Sequence, residues 1–166
     1  MERESIESAK EFLDGLNINY RFYKHDPVES MEDCKEVAKT TGAQFCKNLF
    51  LQNRQGTEFY LLLIDQDKKF RTAEVSKLIG KSRLSFGNSE KLYEYLGVRG
   101  GAITPLGLMF DKEHKVQVLI DRSLLSMEEI SVHPLVNYAT VVLKTTDITR
   151  TLMEKTGHNH IFIEII

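Results

Sequence analysis

Apolar residues recur at two spacings along this chain, and the switches between those spacings mark out its elements. Ile6, Ala9, Leu13 and Leu16 share one face at helical spacing, so Ser5–Leu16 is expected to be a helix that ends at Asn17 and Asn19. Tyr20–Tyr23 predicts a short strand. Ser30-Met31-Glu32-Asp33 has the form of a capping box, and the helix it opens should run to about Thr40 with Met31, Cys34, Val37 and Ala38 inward. The runs Phe45–Gln52 and Glu58–Ile64 predict strands, and Asn53-Arg54-Gln55-Gly56 between them is a hairpin signal. Thr72 can cap a short helix to Ile79, where Gly80 suits the stop. Leu84–Phe86 predicts a strand, and Ser89–Leu96 a helix stopped by Gly97.

The second half is more broken. Residues 99–107 predict a loop. Leu108–Phe110 and Val116–Asp121 predict a second hairpin around Asp111-Lys112-Glu113-His114, and Leu124–Glu129 a short helix. Ala139–Lys144 is rich in β-branched residues and predicts a strand. Thr146 should cap a last helix to about Lys155, ended by Gly157, before a final strand over Ile161–Ile166. Helices and strands alternate, but several strands are joined by hairpins. That argues for an α+β (mixed α/β) fold, a mixed β-sheet with flanking helices, and against a doubly wound parallel sheet. With no repeat, low-complexity tract or linker, residues 1–166 are expected to form a single domain.

Composition narrows the class. The chain is 42% hydrophobic and 28% charged, as soluble globular proteins are, and no apolar run approaches the length of a membrane span. The charged N-terminal stretch has no apolar signal core, so a cytoplasmic protein is expected. Cys34 and Cys46 form no CxxC pair and predict reduced thiols. The net charge is -2, but it is unevenly spread. Residues 1–36 carry five basic against ten acidic side chains, whereas residues 67–83 carry six against two. Such a local patch either faces solvent or meets a phosphate backbone.

Three segments carry candidate chemistry. In Phe45-Cys46-Lys47-Asn48-Leu49-Phe50-Leu51, a lysine and an asparagine interrupt a core strand. Lys47 must either reach the surface or line a polar cavity, where its ammonium could hold a phosphate or a carbonyl oxygen. Gly100-Gly101-Ala102-Ile103-Thr104-Pro105-Leu106-Gly107 reads as a tight turn or as a loop whose backbone approaches a ligand closely. It is neither a P-loop nor a dinucleotide fingerprint. His133, before Pro134, reads as a structural residue at a strand end or as a group that orients water or substrate. The pair His158 and His160 lacks the further ligands of a structural zinc site. Cys46 with His133 has the makings of a nucleophile and base, but a cysteine among apolar strand residues is more often core.

Taken in order, these pieces resemble the YbaK/ProX family of prolyl-tRNA editing domains, related to the insertion domain of bacterial prolyl-tRNA synthetase, and in particular its freestanding alanyl-tRNA(Pro) deacylases. The resemblance runs from His25-Asp26-Pro27-Val28 through Phe45–Leu51, Leu84-Ser85-Phe86 and Leu96-Gly97-Val98. It continues through Gly101–Leu108 and His133-Pro134-Leu135-Val136-Asn137 to Gly157-His158. Each motif alone is weak, but the ordered set is specific and spans nearly the whole chain. The resemblance implies a central substrate pocket and hydrolysis of the ester that joins a wrong amino acid to a tRNA 3′ end. It implies no metal and no cofactor. By the same resemblance, Lys47, Gly101 and His133 are the catalytic candidates. Asn48, Phe50, Ala102, Ile103, Thr104, Pro105 and Asn137 are the substrate-binding candidates.

The partner implied is mischarged tRNA(Pro), with prolyl-tRNA synthetase as a further one and neither membrane nor DNA. Tyr138, Gly100-Gly101-Ala102 and Val132 depart from the commoner family residues, which bears on amino-acid preference. Two other readings stand beside this one. One is a non-catalytic tRNA- or synthetase-binding regulatory module of the same fold. The other is a thiol hydrolase using Cys46.

Overall fold

A computed structural model describes all residues, Met1–Ile166. Five helices and eight strands are arranged over two sheets. Helix α1 (Ile6–Gly15) is capped by Ser5, whose hydroxyl accepts from the Ser8 N–H, and leads into β1 (Tyr20–Lys24). Helix α2 (Met31–Thr41) opens with the expected capping box. The Ser30 hydroxyl accepts from the Asp33 N–H, and the Asp33 carboxylate accepts from the Ser30 N–H. Gly42 closes α2 at a φ of 78°, a left-handed position that costs glycine little.

The larger sheet has the order β4-β2-β3-β5-β8. Strands β2 (Cys46–Asn53) and β3 (Phe59–Asp65) form the expected hairpin, and β4 (Leu84–Phe86) pairs antiparallel with the far end of β2. Strands β5 (Val116–Asp121) and β8 (His160–Ile163) add parallel to β3, so this sheet is mixed. Strand β3 is buried on both faces. Phe59, Leu61 and Leu63 enter the larger core, while Tyr60, Leu62 and Ile64 enter a smaller one under α3 (Thr72–Leu78). That explains its unbroken apolar run. Helix α4 (Ser89–Leu96), capped by Asn88 and closed by Gly97, packs on the following Pro105–Phe110 segment.

A second, antiparallel sheet has the order β1-β7-β6, with β6 at Glu129–Val132 and β7 at Ala139–Lys144. The two sheets meet at Ser131. Its N–H donates to the Gln44 carbonyl at 3.0 Å, and its hydroxyl donates to the Ala43 carbonyl at 2.9 Å.

Several expectations are corrected here. Pro105–Phe110 is a 3-10 helix, so Leu108–Phe110 forms no hairpin with Val116–Asp121. The Thr104 hydroxyl caps it, and Gly107 lies so close to the Leu96 carbonyl that a Cβ there would sit 2.4 Å away. Leu124–Glu129 is no helix. A 3-10 turn covers Arg122–Ser126, and Glu129 already belongs to β6. The last helix is π-wound over Asp147–Leu152 before a short α5 (Met153–Thr156), with no side-chain cap from Thr146. Arg71, not Thr72, stands at the cap position of α3. Helix α2 is loosely held, since only Thr41 is buried and Met31 is exposed. No helix is long and apolar enough to cross a membrane.

Candidate active site

Strand β2 has a free edge before it meets β4 at Leu51, and the candidate pocket lies along that edge. Its floor is Phe45, Cys46, Lys47 and Asn48. The Gly100–Ala102 turn, Ile103 and His133 close it, and Met31 and Cys34 of α2 stand over it. Three separate stretches of chain thus bring together Lys47, Asn48, Gly101, Ile103 and His133. The cavity measures about 110 Å³. That is well short of the roughly 300 Å³ at which drug-sized sites begin.

Lys47 is half-buried, and its ammonium donates to the Lys68 carbonyl at 2.7 Å. Burial lowers its pKa, and the nearby Asp65 carboxylate opposes that shift. One donor is spent on Lys68, so two remain for a ligand. The carbonyl that receives it is itself held. The Lys68 ammonium donates to the fully buried Asp121 carboxylate at 2.9 Å and to the Ile165 carbonyl at 2.6 Å. Asp121 also accepts from Ser123 and from the Asp65 N–H. This anchor was not legible in the sequence, because a backbone carbonyl leaves no side-chain signal. The Asn48 amide donates to the Cys46 carbonyl at 2.8 Å.

His133 follows the end of β6, with its ring centroid 5.4 Å from that of Phe45. Burial pushes its pKa down to about 4, with a backbone hydrogen bond at Ala139 opposing and His25 reinforcing the shift. The ring is therefore neutral at physiological pH. Its Nδ1 is shut off from solvent and has no hydrogen-bond partner. An unsatisfied buried acceptor or donor costs about 1–3 kcal/mol.

Other candidates fall elsewhere. Phe50 is buried and stacks on Phe59 at 5.8 Å, on the core side of β2. Thr104 and Pro105 are buried and shape the 3-10 turn that follows the loop. None of these three lines the pocket, because their side chains are spent on packing and capping. Ala102 and Asn137 line a neighbouring hollow that shares Gly101 with the pocket. The Gly101 backbone has no left-handed φ, and a Cβ there would meet nothing nearer than the Asn137 amide nitrogen at 3.5 Å. The fold itself therefore tolerates a side chain at Gly101. Phe45 and the α2 residues Met31 and Cys34 had read as core. Met31 is exposed and Cys34 only half-buried, so both remain open to the pocket.

Cys46 is buried, and burial together with the Asp121 charge pushes its thiol far above the ordinary range. A thiol held protonated is a poor nucleophile. The basic stretch is also partly structural, since Lys68 pairs with Asp121 and Lys81 with Glu58. Lys77 and Arg83 remain beside a wide hollow of about 730 Å³ that ends at the exposed Phe86.

A small pocket at a strand edge of a mixed sheet thus holds a fixed ammonium and a neutral imidazole among apolar side chains. The aminoacyl-tRNA editing domain family matches residues 25–151, and the chain belongs to that family. It is 32% identical over 165 residues to the prolyl-tRNA editing protein ProX of Acetoanaerobium sticklandii, covering 99% of this chain and 100% of that one. It is 31% identical over 156 residues to prolyl-tRNA synthetase associated domain-containing protein 1 of Danio rerio, covering 93% and 84%. Its fold is shared with a solved structure described provisionally as a trans-editing enzyme for prolyl-tRNA synthetase. That match has a TM-score of 0.69 at 18% identity and covers 97% of each chain.

Proposed function

We propose that this protein hydrolyses the aminoacyl ester of mischarged tRNA(Pro), with alanyl-tRNA(Pro) as the preferred substrate. The observation that carries the reading is the pocket. Lys47, Asn48, Gly101, Ile103 and His133 converge on one small cavity in a chain of the editing-domain family. An aminoacyl ester is already activated, so the enzyme has only to place it, admit a water and stabilise the developing oxyanion.

In this reading the water oxygen attacks the carbonyl carbon. The tetrahedral oxyanion that forms is stabilised by the two free donors of Lys47 and by backbone near Gly101. Collapse of the intermediate breaks the ester C–O bond, and the ribose oxygen leaves with the proton that the attacking water gives up, which frees the amino acid. His133 is too weak a base at pH 7 to take a full proton. As a neutral ring in the pocket wall it shapes the space beside the attacking water. Asn48 and Ile103 bound the side-chain end of the pocket, and about 110 Å³ favours a methyl group over larger side chains. The tRNA 3′ end is the partner, and prolyl-tRNA synthetase is a second candidate.

The test is a deacylation panel with purified protein and labelled alanyl-, prolyl-, cysteinyl- and seryl-tRNA(Pro). Alanyl-tRNA(Pro) should be cleared fastest. Clearance of none above the spontaneous rate, with tight tRNA binding retained, would make the protein a binding module instead.

A further inference from the structure

The aminoacyl pocket is too small for the nucleoside that carries the ester. Its volume of about 110 Å³ is well short of the roughly 300 Å³ at which sites for drug-sized ligands begin. The ester is covalently joined to that nucleoside, so the nucleoside must lie beside the pocket. At Gly101 the wall carries no side chain, and on the far side lies a second hollow of about 250 Å³. Arg99, Ala102, Val136, Asn137 and Tyr138 line it.

Tyr138 is 40% exposed, an aromatic face that the core has not absorbed. Its backbone is nevertheless firmly held. The His25 N–H donates to the Tyr138 carbonyl at 3.0 Å, and the Val28 N–H donates to the Asn137 carbonyl at 2.9 Å. The Asn137 amide returns a bond to the Val28 carbonyl at 3.2 Å. Leu135, two residues before Asn137, is held at a φ of 69°, a conformation that leucine rarely adopts and that surrounding structure must enforce. An exposed ring on a pinned loop, one glycine away from a pocket for the ester, has the form of a stacking platform for a base.

We propose that this hollow binds the 3′-terminal adenosine of the tRNA, with the adenine ring stacked on Tyr138. Gly101 is bare so that the ribose can pass between the two hollows. This assignment rests on the editing reading above for the identity of the ligand, but its test does not require hydrolysis. Asn137 and Arg99 line the same hollow with Glu4, and the Arg99 guanidinium pairs with Glu4 at 3.2 Å and lies over the Tyr93 ring.

The experiment measures binding of an uncharged RNA hairpin that carries a tRNA(Pro) acceptor stem and a 3′-CCA end. The same hairpin with an abasic terminal residue serves as the comparison. Wild-type protein should bind the adenosine-ended hairpin about tenfold more tightly or better, as stacking of one base on one aromatic side chain commonly gives. Tyr138→Ala should abolish that preference while its binding of the abasic hairpin stays unchanged. Tyr138→Phe should restore it, because stacking needs the ring and not the hydroxyl. In deacylation assays, Tyr138→Ala should raise KM and leave kcat within about twofold.

Equal wild-type affinity for the two hairpins overturns the proposal. So does a Tyr138→Ala variant that still prefers adenosine. A protein that makes the adenosine distinction but clears no aminoacyl ester would overturn the editing reading and leave the platform standing.

Discussion

His133 and His158 are both largely withdrawn from water, and their surroundings differ at every contact. The His158 Nε2 lies 2.8 Å from the Asp111 carboxylate, and its Nδ1 lies 2.9 Å from the Thr156 hydroxyl. Asp111 also accepts from the Lys115 and Val116 N–H groups. Burial raises the Asp111 pKa, but the His158 bond and the two backbone bonds outweigh burial and leave it lowered. Every polar atom of this cluster has a partner, and it fastens the start of β5 to the turn before β8. His133, by contrast, keeps a buried Nδ1 with no partner and faces a cavity. A satisfied buried histidine belongs to the architecture. An unsatisfied one in a pocket wall carries a cost that the architecture alone does not explain.

The difference can be broken by substitution. Gly101→Leu places a side chain in the passage between the two hollows, where the fold has room and the substrate would lose it. Deacylation should fall on the order of a hundredfold with little change in Tm, since misplacing a reacting group by about an ångström has effects of that size. Wild-type activity in this variant would remove the loop from the site.

His158→Ala should do the reverse. It strands a buried carboxylate, at about 3 kcal/mol, and should lower Tm by about 10 °C in a protein of this size. Activity per folded molecule should hold at low temperature. Thermal melts with active-site titration distinguish the two outcomes.

Acidification sharpens the comparison further. His133 takes up a proton at about pH 4 in the folded protein, against about 6.5 when unfolded. Its contribution to stability is therefore full above pH 6.5 and is lost as pH falls toward 4. By pH 5 the loss should be on the order of 1–2 kcal/mol, and His133→Gln should escape it. Denaturant titrations of both proteins at pH 7 and pH 5 measure the difference. The smallest effect expected is that of Cys46→Ala. The variant should keep its deacylase activity within a few-fold, because the thiol is buried and protonated. Its loss of stability should be modest, about 1–2 kcal/mol for one small buried side chain.

Much of this architecture was legible in the sequence where local signals were strong. The Ser30 capping box, the Asn53–Gly56 turn and the glycine stops at Gly97 and Gly157 all act within a few residues. The second sheet was legible only in part, since β1 and β7 read as strands and β6 did not. Strand β6 is four residues long, and its Ser131 turns inward because Ala43, far away in the chain, supplies an acceptor. The Pro105–Phe110 turn looked like a strand because Leu108, Met109 and Phe110 are apolar. It is helical because Thr104 caps it and Leu96 crowds Gly107. Within the candidate site, Lys47 stood out as a charge in an apolar strand. The hold on that charge comes from the Lys68 carbonyl and the buried Asp121 behind it, which no residue pattern announces.

The most direct test of the account is Lys47→Ala, assayed for alanyl-tRNA(Pro) deacylation with thermal unfolding followed in parallel. If the Lys47 ammonium is the fixed donor that stabilises the ester oxyanion, activity should fall about a hundredfold or more, as for loss of other such donors, while Tm stays within a few degrees of wild type. A folded Lys47→Ala protein that clears alanyl-tRNA(Pro) at near wild-type rate would contradict it.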